Sequence, residues 1–333
     1  MKKRLLFVLV MMCCFFLTGC FKKGEDDILK ELAKKIENSK GYHLTGDLEI
    51  FNNEETYKYA VDVSSATGEK FRVSLKNKTN NHEQIILRNS EGVYVLTPSL
   101  NKSFKFQSEW PYNNSQSYLL QTILQDIKND NNRTFEENDS GYQFITAVNY
   151  SSNKELAKQI IKLDKNLNVK EVEVQDKDGR TYIKMNFTKI DMKASFDDNY
   201  FNLDDNMQTA LLEEETTIVS KIEDIIYPMY IPANTKLTSQ DKVFTDDGER
   251  VILTFSGDKP FLMVQETSNR TSAMTTVPVY GDPLFIGDSI GAMTDSSITW
   301  ISDGIEYYVV SDTLSQEELL SVVNSVSVMP IGK

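Results

Sequence analysis

The spacing of apolar positions changes several times along this chain, and each change marks an element. An uninterrupted apolar run, Leu5 to Leu17, comes first. Ile28, Leu29, Leu32, Ala33 and Ile36 then recur at intervals of three and four, which predicts a helix capped by Asp26 or Asp27 and ended by Asn38 to Gly41. The period next drops to two, through Leu44, Leu48, Ile50, then Tyr57, Tyr59, Val61, Val63, then Phe71, Val73, Leu75, then Ile85 to Leu87, Val93, Val95, Phe104 and Phe106. Turn signals at Asn52-Asn53, Thr67-Gly68, Asn80-Asn81 and Glu91-Gly92 separate these runs, so they predict consecutive antiparallel strands. A second helix is predicted over Ser117 to Lys128, where Leu119, Leu120, Ile123, Leu124 and Ile127 form one stripe; core packing is the first reading of such a stripe.

Strand periodicity returns at Gly141 and runs to Phe196. Within it, Asp176 to Gly179 has two carboxylates at calcium-loop spacing, but Arg180 and Phe187 stand where such a loop needs oxygen ligands, so a hairpin turn is predicted. The following stretch is acidic, with helical spacing at Leu211, Leu212, Ile218, Ile222 and Ile225 and a stop at Pro228. Beyond it, strands are predicted at Arg250 to Phe255, Phe261 to Gln265, Ser297 to Ile301 and Glu306 to Val310, the last two joined through Asp303-Gly304. Ser315-Gln-Glu-Glu318 is a capping box that opens a final helix. The chain thus divides into a leader (1–19), a short tether (20–27), a first domain (28–203), an acidic helical connector (204–225) and a C-terminal domain (226–333). The expected class is α+β: a curved antiparallel sheet with helices over its concave face, followed by a smaller α+β domain.

The leader changes the chemical picture. A basic Met-Lys-Lys-Arg start, an apolar core too short for a comfortable membrane span, and Leu17-Thr18-Gly19-Cys20 together form an export signal ending in a lipobox. Cys20 is the expected site of lipid attachment, which places the mature protein outside the cell membrane and held to its outer face. The three cysteines are Cys13, Cys14 and Cys20, so the mature chain keeps one thiol and has no intramolecular disulfide to rely on. The segment Phe21 to Asp27 reaches at most roughly 24 Å, so the first helix stays near the membrane. Net charge is -13, from 36 basic and 49 acidic residues, and loss of Lys2, Lys3 and Arg4 with the leader makes it about -16. Such acidity excludes nucleic acid as a natural partner.

Candidate catalytic groups are sparse. His43 and His82, the two histidines, fall at strand ends, and neither is spaced with acids for metal binding; no nucleophile motif or phosphate loop stands in a supporting context. Paired acids such as Asp197-Asp198 and Asp204-Asp205 read as solvated loops or helix faces. No catalytic residue, metal or cofactor is therefore expected. What the first domain does have is an aromatic run, with Phe104, Phe106, Trp110, Tyr112 and Tyr118 leading into the second helix. The candidate cavity or docking face is accordingly Phe104, Phe106, Trp110, Tyr118, Leu119, Ile123 and Ile127. A curved sheet can fill such a face with side chains or leave it open for an acyl chain.

The membrane-proximal helix, the strand meander, the stretch NSEGVYVLTPSLNKSFKFQSEWP with its x-G-x-Y-V-x-x-P core, and the later IKLDKNLNVKEVEVQDKDGRTYIKMNFTKIDMKASFDDNYFNLD resemble the LolA/RseB-like superfamily of envelope proteins over about residues 28–203. With its C-terminal domain the whole chain is similar to sporulation and germination lipoproteins of spore-forming Gram-positive bacteria. The segment ITWISDGIEYYVVSDTLSQEELLSVVNSV resembles a C-terminal domain of many bacterial lipoproteins. The resemblance implies a curved antiparallel half-barrel, half-open and with a helical lid, that either carries lipid or serves as a docking surface. The lipoprotein carrier of that superfamily is soluble and shuttles, whereas Cys20 would tether this chain, which favours a fixed binder. Two expectations follow: a non-enzymatic adaptor for an envelope or spore protein, or a binder of lipid or an acyl group.

Overall fold

The computed structural model describes residues 23–52, 55–111, 114–150, 153–213, 221–245, 248–268 and 274–327. The leader, Cys20, Tyr112 and Ile218 lie outside the described residues. Helix α1 (Glu25–Glu37) leads into β1 (Gly41–Asn52), β2 (Glu55–Ala66), β3 (Lys70–Asn77), β4 (Glu83–Asn89), β5 (Gly92–Thr97) and β6 (Lys102–Gln107). Helix α2 (Leu120–Asn129) is followed by β7 (Thr134–Glu137), β8 (Gly141–Ala147), β9 (Leu156–Asp164), β10 (Val169–Asp176), β11 (Thr181–Asp191) and helix α3 (Leu203–Glu213). The C-terminal part comprises β12 (Tyr227–Pro228), β13 (Thr235–Thr245), β14 (Gly248–Gly257), β15 (Phe261–Thr267), β16 (Thr275–Tyr280), β17 (Asp282–Ile286), β18 (Ser289–Met293), β19 (Ser297–Ser302), β20 (Ile305–Val310), helix α4 (Gln316–Asn324) and β21 (Val326–Ser327).

Strands β6 back to β1 and then β11 back to β7 form one antiparallel sheet, in which the β1–β11 pair joins the two meanders. At Thr45/Gly46 that pair carries an irregularity; a side chain at Gly46 would meet the Asn186 carbonyl at 2.3 Å, so glycine permits the close approach. Alternation along the strands sends Leu44, Leu48, Val63, Val73, Ile86 and Val95 to one face, against Ile28, Leu32 and Ile36 of α1 and Leu120, Ile123 and Ile127 of α2. On β4 and β5 the opposite residues are buried too: Ile85, Leu87, Tyr94 and Leu96 pack with Phe201 and with Met207 of α3. Each such side chain contributes roughly 1.5–3 kcal/mol by leaving water, which is why these strands read as nearly continuous apolar runs.

The second sheet has seven strands in the order β13-β14-β15-β20-β19-β18-β17. Leu319, Val322 and Val323 of α4 cover one of its faces, against Val251, Leu253, Met263, Ile298 and Val309. The capping box is formed, with Ser315 accepting from the Glu318 amide and Glu318 reaching back to the Ser315 amide. Asp303 and Gly304 both take positive φ, 49° and 75°, in the β19–β20 hairpin. Asp176 to Gly179 turns β10 into β11, and the Asp176 carboxylate accepts from the amides of Asp178 and Arg180.

Particulars of three elements bear on the layout and differ from the sequence reading. Helix α1 starts earlier, after Gly24 and without a side-chain cap, so Asp26 and Asp27 lie in its first turn, where the helix dipole favours acids. The acidic stretch after α3 does not carry its helix through to Ile225: Ile222 and Ile225 are non-helical and pack on the second core. Strand β16 leaves the C-terminal part and pairs in parallel with β6, Val277 opposite Phe104 and Val279 opposite Phe106, making the first sheet twelve-stranded.

Candidate functional site

The concave side of the first sheet is closed by the C-terminal part. Besides β16, the β17–β18 hairpin enters it: the amide of Ile290 donates to Gln84 Oε1 at 2.6 Å, and the Phe285 ring lies 5.9 Å from that of Tyr59. Ser108 Oγ donates to Asp282 at 2.6 Å, and Lys102 pairs with Glu306 at 2.5 Å. This seam is not close-packed throughout. A cavity of about 470 Å³ remains, walled by Ile50 and Tyr57 at the β1–β2 end, Trp110 and Tyr118 before α2, Tyr150 after β8, Tyr182 and Ile183 on β11, Leu284 and Phe285 on β17, and Ser321 and Asn324 on α4.

The walls are held by polar contacts that the chain makes on itself. Arg88 Nη1 donates to the Trp110 carbonyl at 2.7 Å while Phe71 meets the indole edge-on at 5.6 Å. Ser115 and Asn149 exchange hydrogen bonds at 2.8 and 2.9 Å, tying the segment before Tyr118 to the one before Tyr150. Tyr42 Oη donates to Gln121 Oε1 at 2.5 Å and accepts from the Leu120 amide, which positions the first turn of α2. Burial pushes the hydroxyls of Tyr118 and Tyr150 well above the usual phenol range, with the charge of Asp126 adding to the effect on Tyr150. Both therefore stay neutral at physiological pH. Burial also pushes Asp126 up to about 6, against hydrogen bonds from Ser115 and Gln159 that favour its carboxylate. Among the described residues lining the cavity, Glu155 is the one charged side chain. The arrangement thus offers aromatic and aliphatic surface with neutral amides and hydroxyls, which suits binding by contact.

The seven residues expected to form one face separate into three groups. Trp110 and Tyr118 line the cavity. Phe104 and Phe106 lie on β6, between β5 and β16, and near Ile290, Ala292 and Trp300, where almost no free space is left. Leu119, Ile123 and Ile127 are inside the core, the last two fully. Sequence reasoning did not find Tyr57, Tyr150, Tyr182 or Phe285. A tyrosine in or near the end of a predicted strand was the one local trace of Tyr57, Tyr150 and Tyr182. His43 Nε2 donates to the Asp62 carboxylate at 2.8 Å on the opposite face of the sheet and takes no part in the cavity. Among the described residues there is no group of three or more His, Cys, Asp or Glu able to hold a metal ion, and no helix long and apolar enough to cross a membrane.

The first sheet is a curved antiparallel meander wrapped on two helices, with the strands of the second sheet meeting its concave side. The chain belongs to the family of the sporulation protein YdcC: it is 34% identical to that protein of Bacillus subtilis (strain 168) over 331 residues, 97% of either chain. No protein-family model matches the chain. Among solved structures it is similar to the Pseudomonas aeruginosa MucA/MucB complex, with 14% identity, TM-score 0.34 and coverage of 90% of this chain and 97% of that one. A putative outer membrane lipoprotein-sorting protein domain from Vibrio parahaemolyticus is 14% identical with TM-score 0.32, covering 54% of this chain and 97% of that one.

Proposed function

We propose that this protein is a lipid-anchored, non-enzymatic binding protein of the cell envelope that acts in sporulation, and that it captures its target at the seam between its two halves. The observation that carries this reading is the cavity itself: about 470 Å³ left open between elements that are otherwise cross-linked by a shared strand and several hydrogen bonds. A cross-linked frame around a nearly uncharged space is suited to holding a ligand rather than to transforming one. The kinship with a sporulation protein supports the setting, and the lipobox ending at Cys20 supports the tether. In this reading the protein works as a fixed adaptor for an envelope or spore protein. A second reading, capture of a lipid or acyl group, is favoured by the apolar part of the lining, Ile50, Ile183, Leu284 and Trp110.

Ser321→Trp is the direct test, because Ser321 is an exposed residue of α4 that also lines the cavity. Its indole should obstruct the space while leaving the melting temperature unchanged, and a strain carrying it should sporulate poorly. Normal sporulation with a stable, membrane-bound variant would sink the cavity reading. A native mass spectrum of protein taken from membranes in mild detergent separates adaptor from lipid binder, since a co-purifying lipid mass that Ser321→Trp abolishes supports the latter. Cys20→Ser should release the protein from membranes or leave its leader uncleaved; retention with the leader removed would refute the anchor.

A further inference from the structure

A second, smaller pocket of about 150 Å³ lies where the β17–β18 turn meets the ends of β4 and β5 and the β19–β20 hairpin. It differs from the large cavity in charge. Asp288 and Asp303 both line it, and among the described residues lining it there is no Lys or Arg. Asp288 accepts from Asn80 Nδ2 at 3.0 Å and from Ser302 Oγ at 2.9 Å, so its partners are neutral. Glu83, also in the lining, is already engaged by Ser74 and by Arg72. His82 is the one lining side chain able to carry positive charge.

The pocket has an independent anomaly. Tyr59 and Ser289 line it, are 3% and 5% exposed, and their hydroxyls have no hydrogen-bond partner among the described residues. Buried hydroxyls nearly always have one, and two carboxylates that face one small space favour a positive charge between them. One kind of group satisfies both demands: a compact cation bearing several N–H donors. The space equals about five water volumes, enough for such a head and a short stem. A bare metal ion fits less well, because the described residues contain no cluster of three metal-ligating side chains.

We propose that this interdomain pocket binds a primary ammonium or guanidinium group, with Asp303 and Asp288 supplying the countercharge and the hydroxyls of Tyr59 and Ser289 accepting hydrogen bonds. Partial desolvation and the charge of Asp288 raise the Asp303 carboxyl above its ordinary range, with the charge of His82 opposing them. The group can arrive as a free amine or on a Lys or Arg side chain of a protein partner. The chemistry is shared, and the two sources are separable.

The test is calorimetric titration of the full-length protein in mild detergent with agmatine, and with a short extended peptide carrying a central Arg or, in its place, citrulline. Saturable one-to-one binding of agmatine or of the Arg peptide is expected, with none of the citrulline peptide. Tighter agmatine identifies a free amine, and a tighter Arg peptide identifies a partner's side chain. Asp303→Asn should weaken binding by about tenfold or more. Asparagine accepts the left-handed backbone that Asp303 adopts, so the hairpin and the melting temperature should be retained. Tyr59→Phe should weaken binding severalfold. Absence of saturation with both cationic probes at millimolar concentrations overturns the proposal. So does an Asp303→Asn protein that binds as tightly as one carrying the exposed control Asp198→Asn.

Discussion

The wall that α2 presents to the concave face and the wall at the seam use similar side chains and end in different states. On α2, Leu120, Ile123 and Ile127 meet strands of their own half of the chain, and their spacing matches the sheet beneath them, so they interdigitate and leave no room. At the seam, Tyr57, Tyr150, Tyr182 and Phe285 come from distant segments and meet across two separately patterned sheets, and they pack against the core only in part. Each sheet buries its own apolar set first. What remains between them is a gap lined by the bulky, amphipathic residues that can border either water or a partner. A helical stripe therefore marks packing, and the junction of two patterned units is where a cavity survives.

The largest expected difference is a pair of charge insertions. Ile123→Asp places an unpaired carboxylate at a fully buried position and should cost several kcal/mol, on the order of 3–5, enough to unfold the first half in a chemical melt. Asn324→Asp adds the same charge to the cavity's exposed margin and should cost less than about 0.5 kcal/mol. Equal losses would mean that the two walls do not differ as described.

A somewhat smaller effect is expected from cutting the chain. With a specific protease site placed within 214–220, the two halves should still elute together after cleavage, held by β16 on β6, by Gln84 on Ile290 and by the Lys102–Glu306 pair. They should also melt in one transition. Separate elution would show that the seam is too weak to frame a cavity. Parallel pairing of β16 is the reason the halves are not independent, and nothing local in TTVPVY announces it: Pro278 interrupts its donors, and its partner is about 170 residues upstream.

Local consistency decided what could be read from the sequence. The α1 and α2 stripes, the meander of β1 to β6, and the Ser315–Glu318 box all express their structure in residues a few positions apart, and they are where the pattern put them. Strand β13 escaped notice because it is an edge, exposed on both faces, so TKLTSQDKVFT has no reason to alternate. Strands β17 and β18 are five residues each and interrupted by Pro283 and Gly291, too short for a period to register. Trp110 and Tyr118 stood out through their local density of aromatics. Tyr57, Tyr150 and Tyr182 belong to the same cavity through contacts that only the assembled seam creates.

The pH dependence of stability sharpens the same contrast from within the α2 wall. Asp126 has its folded pKa raised to about 6 from 3.8 by burial, so between those values the native state holds a proton that the unfolded chain has released. Native stability should therefore fall as pH rises through this window and stay lower above it. The effect is roughly 2 kcal/mol once partial exposure is allowed for. Asp126→Asn should remove that slope and stabilise the protein at neutral pH. Its amide can also donate to Gln159 Oε1, a buried acceptor without a partner among the described residues. A variant with an unchanged slope between pH 4 and 6 would assign the titration elsewhere.

The smallest difference is between two single-atom deletions. Tyr42→Phe removes a hydroxyl that donates to Gln121 and accepts from the Leu120 amide inside the α2 wall, leaving that amide short of an acceptor. A buried polar group stranded in this way costs about 1–2 kcal/mol, visible as a lower denaturation midpoint at constant slope. Tyr182→Phe removes a hydroxyl at the seam that reaches Glu155 over 3.4 Å, and water can replace it for both groups because Glu155 is exposed. Its cost should be within a few tenths of a kcal/mol of zero. If Tyr182→Phe proves as damaging as Tyr42→Phe, the seam tyrosines are structural members in their own right. The cavity would then be a packing defect between rigid units rather than a surface kept free for a ligand.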